Sequence, residues 1–530
     1  MEARKPDVTN MLLRWPSTVA RSATVDGPFS SVRHLSKAVL LMIHHRLTLP
    51  QCLVRFICWC AVAGVFTGAT PESTVVAADV REFGAVGDGE ADDTESIERA
   101  IAENTDGQIE FPRGDFRITR TIEIDLEKYN RTSLSGRGGV GRVVMAGPGP
   151  AFRFVGTHTR SAAPSGFAPE VWQRQRSPQV SGLEIIGEHP EADGIEFIRV
   201  MQPSLHGVQI REVRHGVILS ENNRNLLIDA CHIYNCSGIG VFFDRVNLHQ
   251  SIIQGSHISY CKRGGIKVLD GEIRNFQITG NDIEYNYDTE AEESADIWFD
   301  IRNGTVAEGT IASNTIQARD SRGGANIRFI GAEQPTHPTP MGLWTISGNL
   351  IGNQEVNIHL VRCRGIAISG NHIYSGKQRS LVIESSEHIV IGQNSMDQSH
   401  NTGRGFTNGI TLRDCDGIVL SGLILDNSAA GDEQQGGAIE IFGSREVTIS
   451  DCQILEPQVR GIWASESRNV RLSGNTIVER KQPGRMLAAI EIRSPLGVNV
   501  ISDNLLGAGK NGRVISDSDD VKLLSNHPLD

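Results

Sequence analysis

The chain has 530 residues and a formal net charge of −12, with 39% apolar residues, 22% charged residues, only 5% aromatics and 56 glycines. That composition excludes a disordered chain and disfavours a compact aromatic-cored globule; it calls for a fold with many turns. Residues 1–78 hold eight Lys/Arg and four Asp/Glu, which leaves 43 basic and 59 acidic groups beyond them, a net charge of −16; a body so acidic lacks the cation surplus that nucleic-acid binding needs.

Residues 52–66, CLVRFICWCAVAGVF, are the most apolar run, yet they include Arg55 and are short for a membrane span of about 20 residues. Small and polar residues follow, with Val76 and Ala78 placed for cleavage before Asp79. Basic, apolar and small-residue regions in that order describe a secretory signal peptide. About fifty residues precede the apolar core, so Met42 offers a more conventional start and residues 1–41 read as an over-extended gene start. The alternative is an uncleaved anchor, the one route by which this chain would meet a membrane. The body is then secreted, periplasmic or at the cell surface. The expected organisation is a leader over 1–78 and a single domain over 79–530, with an N-terminal cap and first strands over 79–125 and coils over 126–525. Six cysteines lie beyond the leader, without CxxC spacing and without an HExxH helix, so a zinc site is not indicated.

The mature chain opens with FGAVGDGEADDTESIERAIAEN (83–104) and GQIEFPRGDFRIT (107–119). This reads as a Gly/Asp turn, an amphipathic helix with Ile97, Ala100 and Ile101 on its apolar face, and two short strands. Asp92 and Glu95 are spaced as a helix cap and its reciprocal partner, and the carboxylates of Asp88, Asp92 and Asp93 are assigned to turn and cap.

From residue 180 a phrase recurs: apolar, polar, apolar, Ser/Thr, Gly, Asn, any residue, Ile. Copies include QITGNDI (277–283), WTISGNLI (344–351), IAISGNHI (366–373) and VRLSGNTI (470–477). The Asn position falls at 183, 208, 231, 256, 281, 314, 349, 371, 394, 423, 452, 475 and 504. A second alternation precedes most copies, as in GGIKVL (264–269), ADIWFDI (295–301) and ANIRFI (325–330). Each unit of roughly 23 residues therefore holds three short period-2 strands between turns. That pattern predicts an all-β parallel β-helix solenoid of about 12–13 coils with an N-terminal capping helix, in which stacking buries a continuous apolar column. The recurring Asn is expected at a tight corner, in left-handed backbone geometry, with its amide bonded along the stack. Cys236 and Cys261, each five residues past a landmark, are expected to stack as free thiols.

The segment 83–119 resembles the N-terminal signature of the pectate-lyase-like (rhamnogalacturonase/epimerase-type) right-handed parallel β-helix superfamily, and the repeats extend that resemblance over most of 80–525. It implies a right-handed coil and carbohydrate processing in general terms. Motifs of closer subfamilies are absent: there is no NTD, GHG and RIK set, no WiDH or RxPxxR phrase and no YGFDPH.

Alternation places every second residue of the strand outward. One outward column then reads Lys267, Trp298, Arg328, His359 in four successive coils, with Asp300 and Arg302 beside it and Glu384 one coil further. The two longest repeat intervals supply the walls, YNYDTEAEESA (285–295) and GAEQPTHPTPMG (331–342). The resulting expectation is a polysaccharide-processing enzyme, a lyase on a uronate polymer, with Lys267, Asp300, Arg328 and His359 catalytic and Trp298, Arg302 and Glu384 holding substrate. Lys267 or His359 would take the C5 proton and Arg328 or Arg302 would neutralise the adjacent carboxylate. The alternatives are a glycoside hydrolase, using Asp300 with Asp296 or Glu384, and a non-catalytic glycan-binding rod. Trp463, with Glu440 and Glu491 on adjoining coils, forms a second, weaker candidate. No cofactor is required; calcium could be held by the acidic stretch 288–300, which lacks EF-hand spacing.

Overall fold

The computed structural model describes residues 77–159, 167–335, 337–399, 405–482 and 484–529. All but the last two residues of the leader lie outside the described residues. From Ala78 onward the backbone winds into three parallel ladders, one strand of each per turn. The first ladder includes Gly324–Ile330, Val356–Val361, Arg379–Glu384, Ile410–Arg413, Ile439–Phe442, Arg460–Ser465 and Ala488–Arg493. The second includes Met341–Ser347, Arg364–Ser369 and Glu387–Gly392. His257–Ser259, Asp282–Glu284, Thr315–Gln317 and Leu350–Gly352 belong to the third. In the middle coils the first two strands run on as one, as in Gly264–Thr279 and Ser294–Ala312.

The solenoid has about sixteen turns, more than the 12–13 read from the repeat. The thirteen landmarks match thirteen strands of the third ladder, but that ladder has seventeen. Asp88–Asp92, Gly114–Ile118 and Gly141–Met145 pair in it without carrying the phrase, and His527–Leu529 follows a degenerate copy around Asn526. At about 4.8 Å per rung the column is roughly 75 Å long. Coils also begin earlier than expected, since Ala78–Asp79 already pairs with Gln108–Glu110.

Inward Ile, Val, Leu and Phe side chains form one continuous core, each contributing about 1.5–3 kcal/mol by burial. Phe243, Phe276, Phe299 and Phe329 stack along it at 4.9–5.4 Å, with Trp344 5.1 Å from Phe299. The helix Thr94–Glu103 lies within the first turn and adds Ile97, Ala100 and Ile101 to this core. Its N-cap residue is Asp93, whose own side chain makes no capping bond; the amide of Thr94 at the helix start is taken by the Asp92 carboxylate. Asp93 accepts from the Val86 and Gly87 amides, and Asp92 accepts from Thr94 and from the Thr119 hydroxyl.

The asparagine ladder forms as read. Asn281, Asn314, Asn349, Asn371 and Asn394 each pass an amide hydrogen bond to the next at 2.9–3.0 Å, and Asn475, Asn504 and Asn526 repeat it. The left-handed position is instead the residue before: Gly280, Ser313, Gly348, Gly370, Gln393 and Gly474 have φ of 52–69°. A side-chain oxygen that must receive the preceding coil's amides needs an inward aim, and the residue before it makes the corner. Six cysteines are buried and free. Cys236 and Cys261 are neighbours, and that contact together with burial pushes the Cys236 thiol well above its ordinary value.

Candidate functional site

The first ladder carries the outward column in the expected register: Lys267 opposite Trp298, Trp298 opposite Arg328, Arg328 opposite His359. One coil below, Phe242 occupies that column, because Ile218 pairs with Phe242 and Phe242 with Lys267. Above His359 the column continues through Val382, Thr411, Glu440 and Trp463 to Glu491. Long insertions cluster where the third ladder turns into the first, at 285–293, 398–409, 427–438 and 479–487. Their described residues flank one face, and residues 331–335 and 337–340 bound it on its other side.

The lower stretch is packed rather than hollow. The Lys267 ammonium sits 3.5 Å from the centre of the Trp298 ring and Arg328 approaches that ring at 5.7 Å. Trp298 is 7% exposed and Arg328 3%. Arg328 donates to the Gly323 carbonyl (2.7 Å) and the Ser294 carbonyl (3.5 Å), so its guanidinium is committed to backbone. Burial draws the Lys267 ammonium below its ordinary pKa, opposed by Asp300 and Glu293. Asp300 accepts from Arg302 Nε at 2.7 Å, and Arg302 is largely exposed, its pKa raised by that bond. His359 meets Glu384 at 3.4 Å. This contact, against burial and helped by Arg413, holds the Glu384 carboxyl below the usual range.

Asp296 is not part of this face, which corrects its suggested pairing with Asp300. It is completely buried and accepts from the Asn286 backbone amide, the Asn286 side chain and the Asn326 side chain. Burial pushes it up to about 8, against those hydrogen bonds.

The upper stretch opens into a cleft of about 660 Å³ lined by Arg379, Thr411, Arg413, Glu440, Phe442 and Trp463, with residues 429–436 as its wall. Glu440 accepts from Arg379 (2.8 Å) and from Thr411 (3.0 Å), while Arg379 Nε also donates to the Thr411 hydroxyl (2.9 Å). Arg413 lies over Phe442 at 5.1 Å and 3.7 Å from Glu384, joining the cleft to the lower stretch. The wall is pinned from beneath. Buried Arg460 donates to the carbonyls of Asp432, Glu433 and Gly436 and to Glu491 at 2.6 Å. Burial alone would raise Glu491, but its bonds to Arg460 and Arg493 bring it below the usual range.

The sequence singled out Trp463 and Glu440 but gave no role to Arg379 and Arg460. Both stand at the first position of a strand, where the alternating pattern begins and facing is not yet defined. Their signal was only an Arg directly after a turn, in RSLVIE and RGIWAS.

These features define an all-β solenoid with one decorated face. Residues 77–176 match the family described as rhamnogalacturonase A/epimerase, pectate lyase-like, and residues 172–316 and 389–527 match the right handed beta helix region. The chain belongs to the right-handed β-helix family of pectate-lyase-like proteins. No curated protein sequence matches it. Similar solved structures include the tailspike protein 3 of bacteriophage CBA120 (10% identity, 90% of this chain and 69% of that one, TM-score 0.45). The A-module of the Azotobacter vinelandii mannuronan C-5 epimerase AlgE6 is another (14% identity, 85% and 99%, TM-score 0.38). A third is the catalytic unit of a GH87 α-1,3-glucanase from Streptomyces thermodiastaticus (15% identity, 77% and 67%, TM-score 0.30). At these identities the likeness is one of fold.

Proposed function

We propose that this chain is an exported protein that processes an acidic polysaccharide by elimination, along the outward face of the first ladder. The observation that carries this reading is the unbroken column from Lys267 into the cleft at Glu440 and Trp463, with cations recurring at Lys267, Arg302, Arg379 and Arg413. On a protein whose body is strongly acidic, such a row of cations on one face matches a polyanionic chain. The family description, pectate lyase-like, supports the same substrate class.

In this reading Lys267 removes the C5 proton of a uronate, its lowered pKa giving more neutral amine at a given pH. Arg302, exposed beside Asp300, neutralises the carboxylate next to the forming carbanion. The electron pair becomes the C4–C5 double bond, the C4–O bond breaks, and His359 returns a proton to the leaving oxygen. Arg328 keeps Trp298 in place. Hydrolysis fits less well, because it needs one protonated carboxyl beside one ionised one. Glu384 is held ionised by His359, and Asp296, the carboxyl whose burial keeps its proton, points into the coil.

The test is incubation with uronate polymers. New ultraviolet absorbance from an unsaturated uronate supports elimination. Reducing ends without that absorbance would replace the lyase reading by hydrolysis, and binding without either product would leave a glycan-binding rod. Export is checked separately: the N-terminus of the secreted form is expected near Asp79, and an intact leader on a cell-retained protein would refute it.

A further inference from the structure

The third ladder, away from the decorated face, brings together three side chains with no part in the proposed chemistry. His257 stands opposite Asp282 in the next coil, and Ser259 opposite Glu284. His257 Nε2 lies 3.8 Å from Asp282 Oδ2 and 3.6 Å from Glu284 Oε1. One ligand atom from each residue falls within 4.8 Å of the others. Zn–N and Zn–O bonds are about 2.0–2.2 Å, so ligand atoms on a tetrahedral ion sit roughly 3.4 Å apart. The three atoms are already close to that spacing.

Two further observations point to a cation here. His257 Nε2 and Asp282 Oδ1 are buried atoms without a hydrogen-bond partner among the described residues, although buried polar atoms are normally satisfied. Glu284 is pre-aimed: Gln317 Nε2 donates to its Oε2 at 2.9 Å, the Tyr374 hydroxyl fixes Gln317 at 2.9 Å, and Oε1 is left toward His257. Outer hydrogen bonds of this kind are what orients metal ligands.

We infer that His257, Asp282 and Glu284 form a site for one divalent transition ion of the zinc type, with solvent completing the coordination. One imidazole with two carboxylates suits zinc, whereas calcium prefers six to eight oxygens. Among the described residues the acidic stretch 288–300, the expected calcium locus, forms no such group. The ion would link two consecutive coils. The strands after His257–Ser259 and Asp282–Glu284 on the same turns are Gly264–Thr279 and Ser294–Ala312, which carry Lys267 and Trp298. Its role would be to clamp those coils, not to act on substrate.

The experiment titrates the metal-stripped chain with Zn²⁺ by calorimetry and with Co²⁺ by visible absorption, alongside thermal melting. One ion per chain is expected, with the intense d–d bands of low coordination and a Tm that rises with added Zn²⁺. His257→Ala should lose all three responses, and the near-isosteric Glu284→Gln should weaken them should His257→Ala fold poorly. His388→Ala, at an unrelated exposed corner, should keep them. Absence of stoichiometric binding would leave a metal-free histidine–carboxylate ion pair and overturn the inference. So would binding that is unchanged in His257→Ala, or Ca²⁺ raising Tm more than Zn²⁺.

Discussion

The stretch from Lys267 to His359 and the stretch from Arg379 to Trp463 belong to one ladder and follow one alternation, yet the first is filled and the second is hollow. In the lower stretch Lys267 and Arg328 both approach the Trp298 ring; the ring and the guanidinium are buried and Lys267 stays half-buried. In the upper stretch the wall at 429–436 is lifted beside the strand by Arg460, and a cleft remains between it and Glu440. The difference arises in the corners. Strand alternation decides which residues face out; the turn before the strand, and the residue that pins it, decides whether they face a ligand or each other.

Several substitutions would break or sharpen that contrast. If the lower stretch carries the chemistry, Lys267→Ala should cut turnover by about a hundred- to ten-thousandfold while leaving polymer affinity within a factor of a few, measured by initial rates against equilibrium binding. Arg460→Ala should unpin the wall and leave Glu491 buried beside Arg493 alone, costing about 3–5 kcal/mol in denaturant unfolding. A milder loss would mean that the wall holds itself.

The two tryptophans should separate cleanly. Trp463→Ala is expected to weaken polymer binding about tenfold, the loss of one aromatic contact, and also to lower Tm, because the ring is only 9% exposed. Trp298→Ala should lower Tm alone, with affinity unchanged. Equal effects would erase the distinction between filled and hollow stretches.

A separate effect concerns pH. Asp296, behind the lower stretch, titrates near 8 because burial disfavours its charge. The folded chain therefore keeps a proton that the unfolded chain releases at ordinary carboxylate pH. The stability it contributes is complete in acid and is lost as pH rises through about 8. Asp296→Asn should flatten the decline of Tm between about pH 5 and 9.

The coil was legible because stacking forces every turn to repeat the same inward apolar pattern, and the column Lys267, Trp298, Arg328, His359 followed from alternation alone. Below Lys267 the register was not legible, because GIGVFF (238–243) offers two and only pairing with Val217 and Ile218 selects Phe242. The end coils escaped the count because Gly114–Ile118 pairs in the third ladder without the Asn phrase, and before His527–Leu529 the phrase survives only as a degenerate copy around Asn526. Openness was not legible. Nothing in RGIWAS shows that Arg460 reaches back to three carbonyls of a preceding loop, and nothing in HIS and DIE, one coil apart, shows that their side chains converge.

The six buried thiols are spread from Cys231 to Cys452 along the column. Burial raises those of Cys231 and Cys415 to about 11 and carries Cys363 further still, so in the wound state they resist alkylation at neutral pH. Each becomes reactive only when its own coil opens. Pulse labelling followed by peptide mapping would thus read, position by position, where the spiral loosens first, with no probe introduced into the chain.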